Sequence, residues 1–158
     1  MKKLLFILLL AANSASAQKW YTITKSDVLL ITSSAISGTA DGFNQAIIHH
    51  HYGQGNQFWD NDSSWMNKYK CKCNPFDHNG DDSPAYPGSK TWLVWTTDGF
   101  HLTRMIDKTF TLVSIGLTAS EWNRFKGRQR VLFIFKKVLL SQLANKIAFN
   151  LSFNNLHR

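Results

Sequence analysis

Two stretches of the chain share the pattern Thr-x-Asp-Gly-Phe, and both contain residue types that could do chemistry. They cover residues 39–44 and 96–101. An aspartate followed by a glycine in each of two predicted helices suggests that the helices cross at these points, because glycine permits a close approach. We therefore predict that Asp41 and Asp98 face each other between the two helices.

Histidines near these aspartates would complete a metal site. His49 lies about two helical turns after Asp41, and His101 lies one turn after Asp98, so the side chains could converge. Asp41, His49, Asp98 and His101 are the candidate ligands of a divalent ion such as zinc, manganese or iron. Asp41, Asp98, His101 and Arg104 are the candidate catalytic residues, with Arg104 meeting an anionic group. A buried structural network or a surface coincidence are the other interpretations.

The hydrophobic pattern predicts a mainly α fold, a small bundle of three or four helices with a long, irregular, aromatic-rich loop. The predicted helices cover residues 26–51, 89–117 and 131–151. The loop covers residues 52–88 and is predicted to include a short helix at 63–69. These elements would have to position the aspartates and histidines.

Serines and glycines mark particular points of these helices. Ser26 and Ser89 are predicted to cap the first and second helices, because a serine hydroxyl can accept a hydrogen bond from a free N–H of the first turn. Gly38 and Gly42 lie four residues apart in the first helix, where each lowers helix stability. We expect another helix to pack closely against them.

The N-terminus has the form of a secretory signal peptide. Two lysines precede an apolar run at residues 4–12, and Ala15 and Ala17 form an A-x-A cleavage site. We predict that residues 1–17 are removed. The rest of the chain, residues 18–158, is then expected to be one helical domain, exported to the periplasm or associated with a membrane of the cell envelope.

The C-terminal third of the chain is basic. The whole chain has a formal net charge of +8, and loss of the two signal lysines would leave +6. No acid follows Glu121, whereas this region contains Arg124, Lys126, Arg128, Arg130, Lys136, Lys137, Lys146 and Arg158. Such a face suits an anionic membrane surface or an acidic envelope partner, while nucleic acid is not favoured. A solvated face that keeps the protein soluble is the alternative.

Other motifs give weaker signals. Cys71 and Cys73 could form a strained local bridge or an intermolecular bridge, or remain thiols. Residues 77–82 place oxygen ligands at alternate positions but lack the glycine and glutamate of a calcium loop, so a polar turn is favoured. The sequence contains no nucleophile elbow, P-loop, dinucleotide-binding glycine pattern or zincin helix.

Three stretches resemble a group of small, uncharacterised, signal-bearing proteins of Bacteroidetes-type bacteria. They are T-A-D-G-F-N-Q at residues 39–45, F-W-D-N-D-S-S-W-M-N-K-Y-K at 58–70 and P-G-S-K-T-W-L-V-W-T-T-D-G-F-H-L-T-R at 87–104. The resemblance implies an envelope location and no particular activity.

Two functions of different classes follow from these patterns. The first is a non-catalytic binding or structural module at a membrane surface, for which the basic third and a third helix lying on the membrane provide the motive. The second is a metal-dependent hydrolase of a phosphoester or lipid-like substrate, using the Asp and His residues between two helices. The first is preferred, because the chain has no recognisable catalytic motif. The oligomeric state stays open.

Overall fold

Three α-helices make up most of the part of the chain that the computed structural model describes, which is residues 22–72, 74 and 82–156. The predicted signal peptide, Cys73 and most of the polar turn lie outside these residues. The helices are α1 (Lys25–His49), α2 (Gly99–Ser120) and α3 (Gly127–Asn155), and short 3₁₀ helices lie at Ser64–Lys68, Val94–Thr96 and Trp122–Arg124. The predicted mainly α-helical bundle is therefore confirmed.

Helix α1 lies at the centre of the bundle. It packs against both α2 and α3, whereas α2 and α3 scarcely contact each other. The side chain of Asn44 donates to the hydroxyl of Thr103 at 3.1 Å, and the hydroxyls of Ser33 and Ser114 lie 2.7 Å apart. Because the residue number rises on α1 as it falls on α2, these two helices run antiparallel.

Glycines allow α1 and α3 to approach closely. A Cβ atom on Gly38 would overlap the backbone of Asn145, and one on Gly42 would overlap the hydroxyl of Ser152. The predicted close approach at these glycines is confirmed. The contacts also show that α1 and α3 run parallel, so the start of α1, the end of α2 and the start of α3 share one end of the bundle.

Helix α1 begins with a capping box at Thr24 rather than at Ser26. The Thr24 hydroxyl accepts a hydrogen bond from the backbone N–H of Asp27 at 3.2 Å, and the Asp27 carboxylate accepts one from the Thr24 N–H at 2.8 Å. This reciprocal pair satisfies two N–H groups of the helix end at once, which explains why Thr24 is the cap. The predicted cap at Ser26 is wrong, and the Ser26 hydroxyl donates instead to Glu121 at 2.9 Å.

Helix α2 begins ten residues later than the sequence pattern predicts. Asp98 has an extended backbone with φ of −155°, and its carboxylate accepts a hydrogen bond from the His101 N–H at 2.8 Å. Asp98 is therefore the N-cap, and the preceding residues form turns and one 3₁₀ turn. The predicted cap at Ser89 is wrong, since its buried hydroxyl donates to the carbonyl of Lys68 at 2.8 Å.

Helix α3 extends beyond its predicted limits at both ends. It starts at Gly127, whose φ is +52°, four residues before the predicted start at residue 131. Arginine and glutamine are good helix formers, so residues 128–130 can continue the helix toward the N-terminus.

Aromatic side chains fix the segment between α1 and α2. Tyr52 lies edge-on to both Phe43 and Trp59, with ring centres 5.9 and 6.3 Å apart. The Trp59 ring lies directly against Gly99 at the start of α2, and the Gly99 N–H donates to the Phe58 carbonyl at 2.7 Å. The predicted short helix is present as the 3₁₀ helix Ser64–Lys68, and Cys71 is disulfide-bonded.

Candidate functional site

Asp98 and His101 form a pair at the start of α2. The His101 Nδ1 lies 2.9 and 2.8 Å from the two carboxylate oxygens of Asp98. Asp98 is only 1% exposed, and its carboxylate also accepts a hydrogen bond from the Thr97 hydroxyl at 3.1 Å. The carboxylate therefore caps the N-terminus of α2 and orients the His101 imidazole. Both contacts are made within three residues of Asp98.

Asp41 lies in a different part of the bundle. It lines a small cavity together with Asp107, and Asp107 follows Asp98 by about 13 Å along the axis of α2. The antiparallel register therefore places Asp41 opposite Asp107, and the prediction that Asp41 faces Asp98 is wrong. The glycines of the two repeats have different neighbours as well, since Gly42 meets α3 and Gly99 meets Trp59.

The predicted metal ligands do not come together. His49 is exposed in the last turn of α1, Asp41 lies near Asp107, and Asp98 pairs with His101. Among residues 22–72, 74 and 82–156, no three His, Cys, Asp or Glu side chains form a group that could hold a metal ion. The four-ligand arrangement predicted from the sequence is therefore not formed.

Arg104 shares the cavity of Asp41 rather than the site of Asp98. This cavity has a volume of about 260 Å³ and is lined by Asp41, Asn44, Gln45, Ile48, Phe100, Arg104, Asp107 and Lys108. Burial and then the charge of Asp107 raise the pKa of Asp41, although Lys108 and Gln45 act in the opposite direction. The predicted catalytic residues thus separate into two pairs, Asp41 with Arg104 and Asp98 with His101.

A buried ion network lies at the end where α1 and α3 begin. The Lys137 ammonium lies 2.9 Å from the Asp27 carboxylate and 2.8 Å from the Glu121 carboxylate, and it donates to the Ser26 hydroxyl at 2.9 Å. The neighbouring Lys136 ammonium lies 2.5 Å from the second oxygen of Asp27. Lys137 is 1% exposed and Asp27 is 0% exposed. These residues connect all three helices.

The acids of this network are held in their charged form. Burial alone would raise the pKa of Asp27, but hydrogen bonds from Lys136, from the Thr24 backbone and from Lys137 outweigh it, so the pKa lies well below its usual range. For Glu121, burial is likewise outweighed, by Lys137, Ser26 and Arg124, and its pKa is lowered. Both carboxyl groups therefore stay ionised beside the lysines of the network.

Hydroxyl groups fill much of the remaining helix interfaces. Ser34 lies within hydrogen-bonding distance of Ser114 on α2, at 3.1 Å, and of Ser141 on α3, at 2.8 Å. Ser37 donates to the Asp107 carboxylate at 2.7 Å. Among the described residues, more of the buried side chains are polar than apolar. The interior of this bundle is therefore unusually polar, with its polar groups paired to one another.

The outer side of α3 shows the opposite character. Every fourth residue along it is apolar and exposed, and we call this set the apolar row: Val131, Phe135, Leu139, Leu143, Ile147 and Leu151. Their exposed fractions range from 45% to 66%. The side of α3 that faces α1 carries Lys137, Ser141 and Asn145 instead. The side of α3 toward α1 is thus more polar than is usual for a helix of a water-soluble bundle, while the apolar row lies on the exposed face beside Gln142, Lys146 and Asn150.

Further apolar side chains are exposed on the other two helices. Leu112, Val113 and Ile115 are exposed on α2, and Val28 and Leu29 are exposed on α1. Between α2 and α3 an open groove of about 530 Å³ has a floor of α1 residues. None of the helices within the described ranges is both long enough and apolar enough to cross a membrane.

Cations lie at the surface where α2 ends and α3 begins. We call this set the basic end: Arg124, Lys126, Arg128 and Arg130. The first three are exposed, and the guanidinium of Arg130 lies 5.1 Å from the ring centre of the exposed Trp122. In the described part of the chain, the acids at this end are Asp27 and Glu121. Both are paired with lysines of the ion network. The outward charge is therefore almost entirely positive.

Some of these features have signals in the sequence outside its motifs. Lys136 and Lys137 interrupt an apolar run, which in a helix marks a point where charge must be paired. The four-residue spacing of the apolar row is visible in the printed sequence. Its solvent exposure depends on the position of α1, which pattern reading alone does not give.

The fold and these surfaces define a class of protein: a three-helix bundle with a paired polar interior and a row of exposed apolar side chains along its third helix. No protein-family model, curated protein or solved structure matches the chain.

Proposed function

We propose that this chain is a non-catalytic, exported module of the cell envelope that associates with a membrane through the apolar row of α3. The carrying observation is the distribution of side chains on α3, with paired lysine and serine side chains toward α1 and a row of exposed aliphatic and aromatic side chains on the outside. Contact with lipid acyl chains would remove this apolar surface from water.

Transfer of the exposed side chains of the apolar row from water to lipid would be favourable. Removing apolar surface from water contributes roughly 25 cal/mol per Å², so a half-exposed leucine would contribute about 1 kcal/mol on contact with acyl chains. Several such residues along one helix would support stable association. The more limited apolar surfaces of α1 and α2 would add to it.

The polar interior is compatible with an apolar environment. Polar groups near hydrocarbon must be satisfied within the protein, because water is not available to them there. The Ser34 hydroxyl has partners on both other helices, and the Lys137 ammonium has two carboxylates. Small residues and hydroxyl groups are also common where helices meet in membranes. In this chain Gly38 and Gly42 allow the same kind of close contact between α1 and α3.

The alternative of a metal-dependent hydrolase would require its predicted residues to meet at one site. Its predicted residues separate into two pairs, and the Asp98 carboxylate is engaged as a helix cap. The polar interior supports the interpretation of a structural network instead.

The test is flotation of the mature chain with neutral phosphatidylcholine vesicles at physiological salt. The wild-type chain is expected to float with the vesicles. The variant Leu139→Gln, Leu143→Gln is expected to bind at least tenfold more weakly, since it removes two members of the apolar row. Trp92→Gln is the matched control, because Trp92 is 73% exposed but lies outside the row, and it should bind as the wild type does.

Failure of the wild-type chain to float would overturn the proposal. Light scattering of the same sample would then decide whether the apolar row joins two copies of the chain. Equal loss of binding in the row variant and in the Trp92 control would also contradict the assignment to the row.

A further inference from the structure

We infer that the basic end binds the phosphate groups of anionic lipids, and so fixes which end of the bundle meets the membrane headgroups. This inference rests on the proposed membrane association and names the lipid chemistry that it recognises. Two observations support it. The cations separate into a buried inner set, Lys136 and Lys137, and an outer set, the basic end. The outer set lies beside the apolar row.

The inner set of cations cannot contribute to binding. Lys136 and Lys137 point into the bundle and are paired with Asp27 and Glu121. This arrangement also engages the acids that would otherwise neutralise the basic end. Lys126 and Arg128 are consequently exposed with no carboxylate paired to them among the described residues, and Arg124 alone of the basic end forms an ion pair, at 2.7 Å from Glu121.

The outer set lies directly beside the apolar row. Arg128 lies three residues before Val131, the first residue of the row, so a phosphate-binding group and an acyl-binding group lie on the same side of one helix. Trp122 adds an indole ring that is 42% exposed and contacts Arg130. Tryptophan favours the interface between headgroups and hydrocarbon, and arginine pairs with phosphate through several N–H groups.

This continuity favours a lipid over the other anions that a basic surface could bind. A nucleic acid or an acidic protein would use the charge but leave the adjoining apolar row in water. A phospholipid has an anionic phosphate followed by apolar chains. Along α3 the order is the same, because Arg128 and Arg130 come first and Val131 and Phe135 follow.

The experiment compares neutral phosphatidylcholine vesicles with vesicles that also contain phosphatidylglycerol. The wild-type chain is expected to bind the anionic vesicles more tightly, and added salt should reduce the difference. The variant Lys126→Gln, Arg128→Gln should lose roughly fivefold in affinity for anionic vesicles per removed charge, with its binding to neutral vesicles unchanged. The control Lys70→Gln, Lys72→Gln removes the same charge from exposed loop positions and should keep the preference.

Two outcomes would overturn the inference without affecting the proposed function. One is that the Lys126 and Arg128 variant keeps the full preference for anionic vesicles. The other is that the loop control loses as much of the preference as that variant does. Failure of the wild type to bind either kind of vesicle would overturn the inference together with the proposed function. Circular dichroism of each variant would verify that the helices are intact.

Discussion

The ammonium of Lys137 lies 2.9 Å from the carboxylate of Asp27, and both side chains are buried where α1 and α3 begin. This ion pair joins residues that are far apart in the chain, and Glu121 extends it to the segment after α2. It determines how the three helices meet at one end of the bundle.

Replacement of Lys137 should strongly destabilise the fold. The variant Lys137→Met keeps much of the side-chain volume but leaves one oxygen of the buried Asp27 without its ammonium partner and takes away one of the two cations paired with Glu121 among the described residues. We expect the free energy of unfolding to fall by about 3–5 kcal/mol. Urea denaturation followed by circular dichroism would measure this. Lys146→Met is the control on the same helix, because Lys146 is exposed, and a loss of similar size there would contradict the role of the ion network.

Acid should weaken the fold through the same network. The pKa values of Asp27 and Glu121 are lowered in the folded chain, so the unfolded chain takes up protons first as the pH falls. The stabilisation is therefore present above about pH 4, the ordinary range of carboxyl pKa values, and is lost progressively below it. Thermal unfolding measured at a series of pH values would show this decline, and Glu121→Gln should make it shallower. An unfolding temperature independent of pH below 4 would be inconsistent with this account.

Alanine should have opposite effects at two glycines. In Gly38→Ala the new methyl group would overlap the backbone of Asn145, so α1 and α3 must move apart, at a cost of about 1–3 kcal/mol. Gly116 lies inside α2 with nothing within 4 Å of an added Cβ, so Gly116→Ala should stabilise the chain by up to about 1 kcal/mol. Chemical denaturation of both variants provides the comparison. Equal effects of the two substitutions would show that the close approach is unimportant.

Neutralising Asp41 should stabilise the bundle at neutral pH. Burial and the charge of Asp107 raise the pKa of Asp41, so its stabilising contribution is present in acid and is lost as the pH rises through the raised value. Asp41→Asn removes this loss, and its advantage over the wild type should disappear at low pH. Asp62→Asn, on an exposed loop residue, is the control. A variant less stable than the wild type at pH 7 would mean that the Asp41 charge is needed.

The sequence predicted the helices better than the contacts between them. The first helix, predicted for residues 26–51, is observed as Lys25–His49, and the expected close approach at Gly38 and Gly42 is present. These features depend on local pattern and residue size. The start of the second helix was placed too early, because a capping aspartate such as Asp98 cannot be distinguished by periodicity from one inside a helix.

The candidate site was harder to predict, because it depends on register between distant segments. The repeated Thr-x-Asp-Gly-Phe pattern suggested that Asp41 and Asp98 meet. The antiparallel packing instead places Asp41 and Asp107 at the same cavity. Similarly, the contact of Asp27 with Lys136 and Lys137 spans most of the chain. No local pattern specifies such a pairing.

The four-residue spacing of the apolar row has a geometrical consequence. Because an α-helix has about 3.6 residues per turn, each step of four residues rotates the row by about 40° around the axis of α3. Between Val131 and Leu151 the row therefore winds through roughly 200°, more than half of the circumference. A rigid, flat surface could touch only part of such a screw at one time. A fluid medium can follow it along its whole length, so in the proposed membrane association lipid would contact α3 on more than one side.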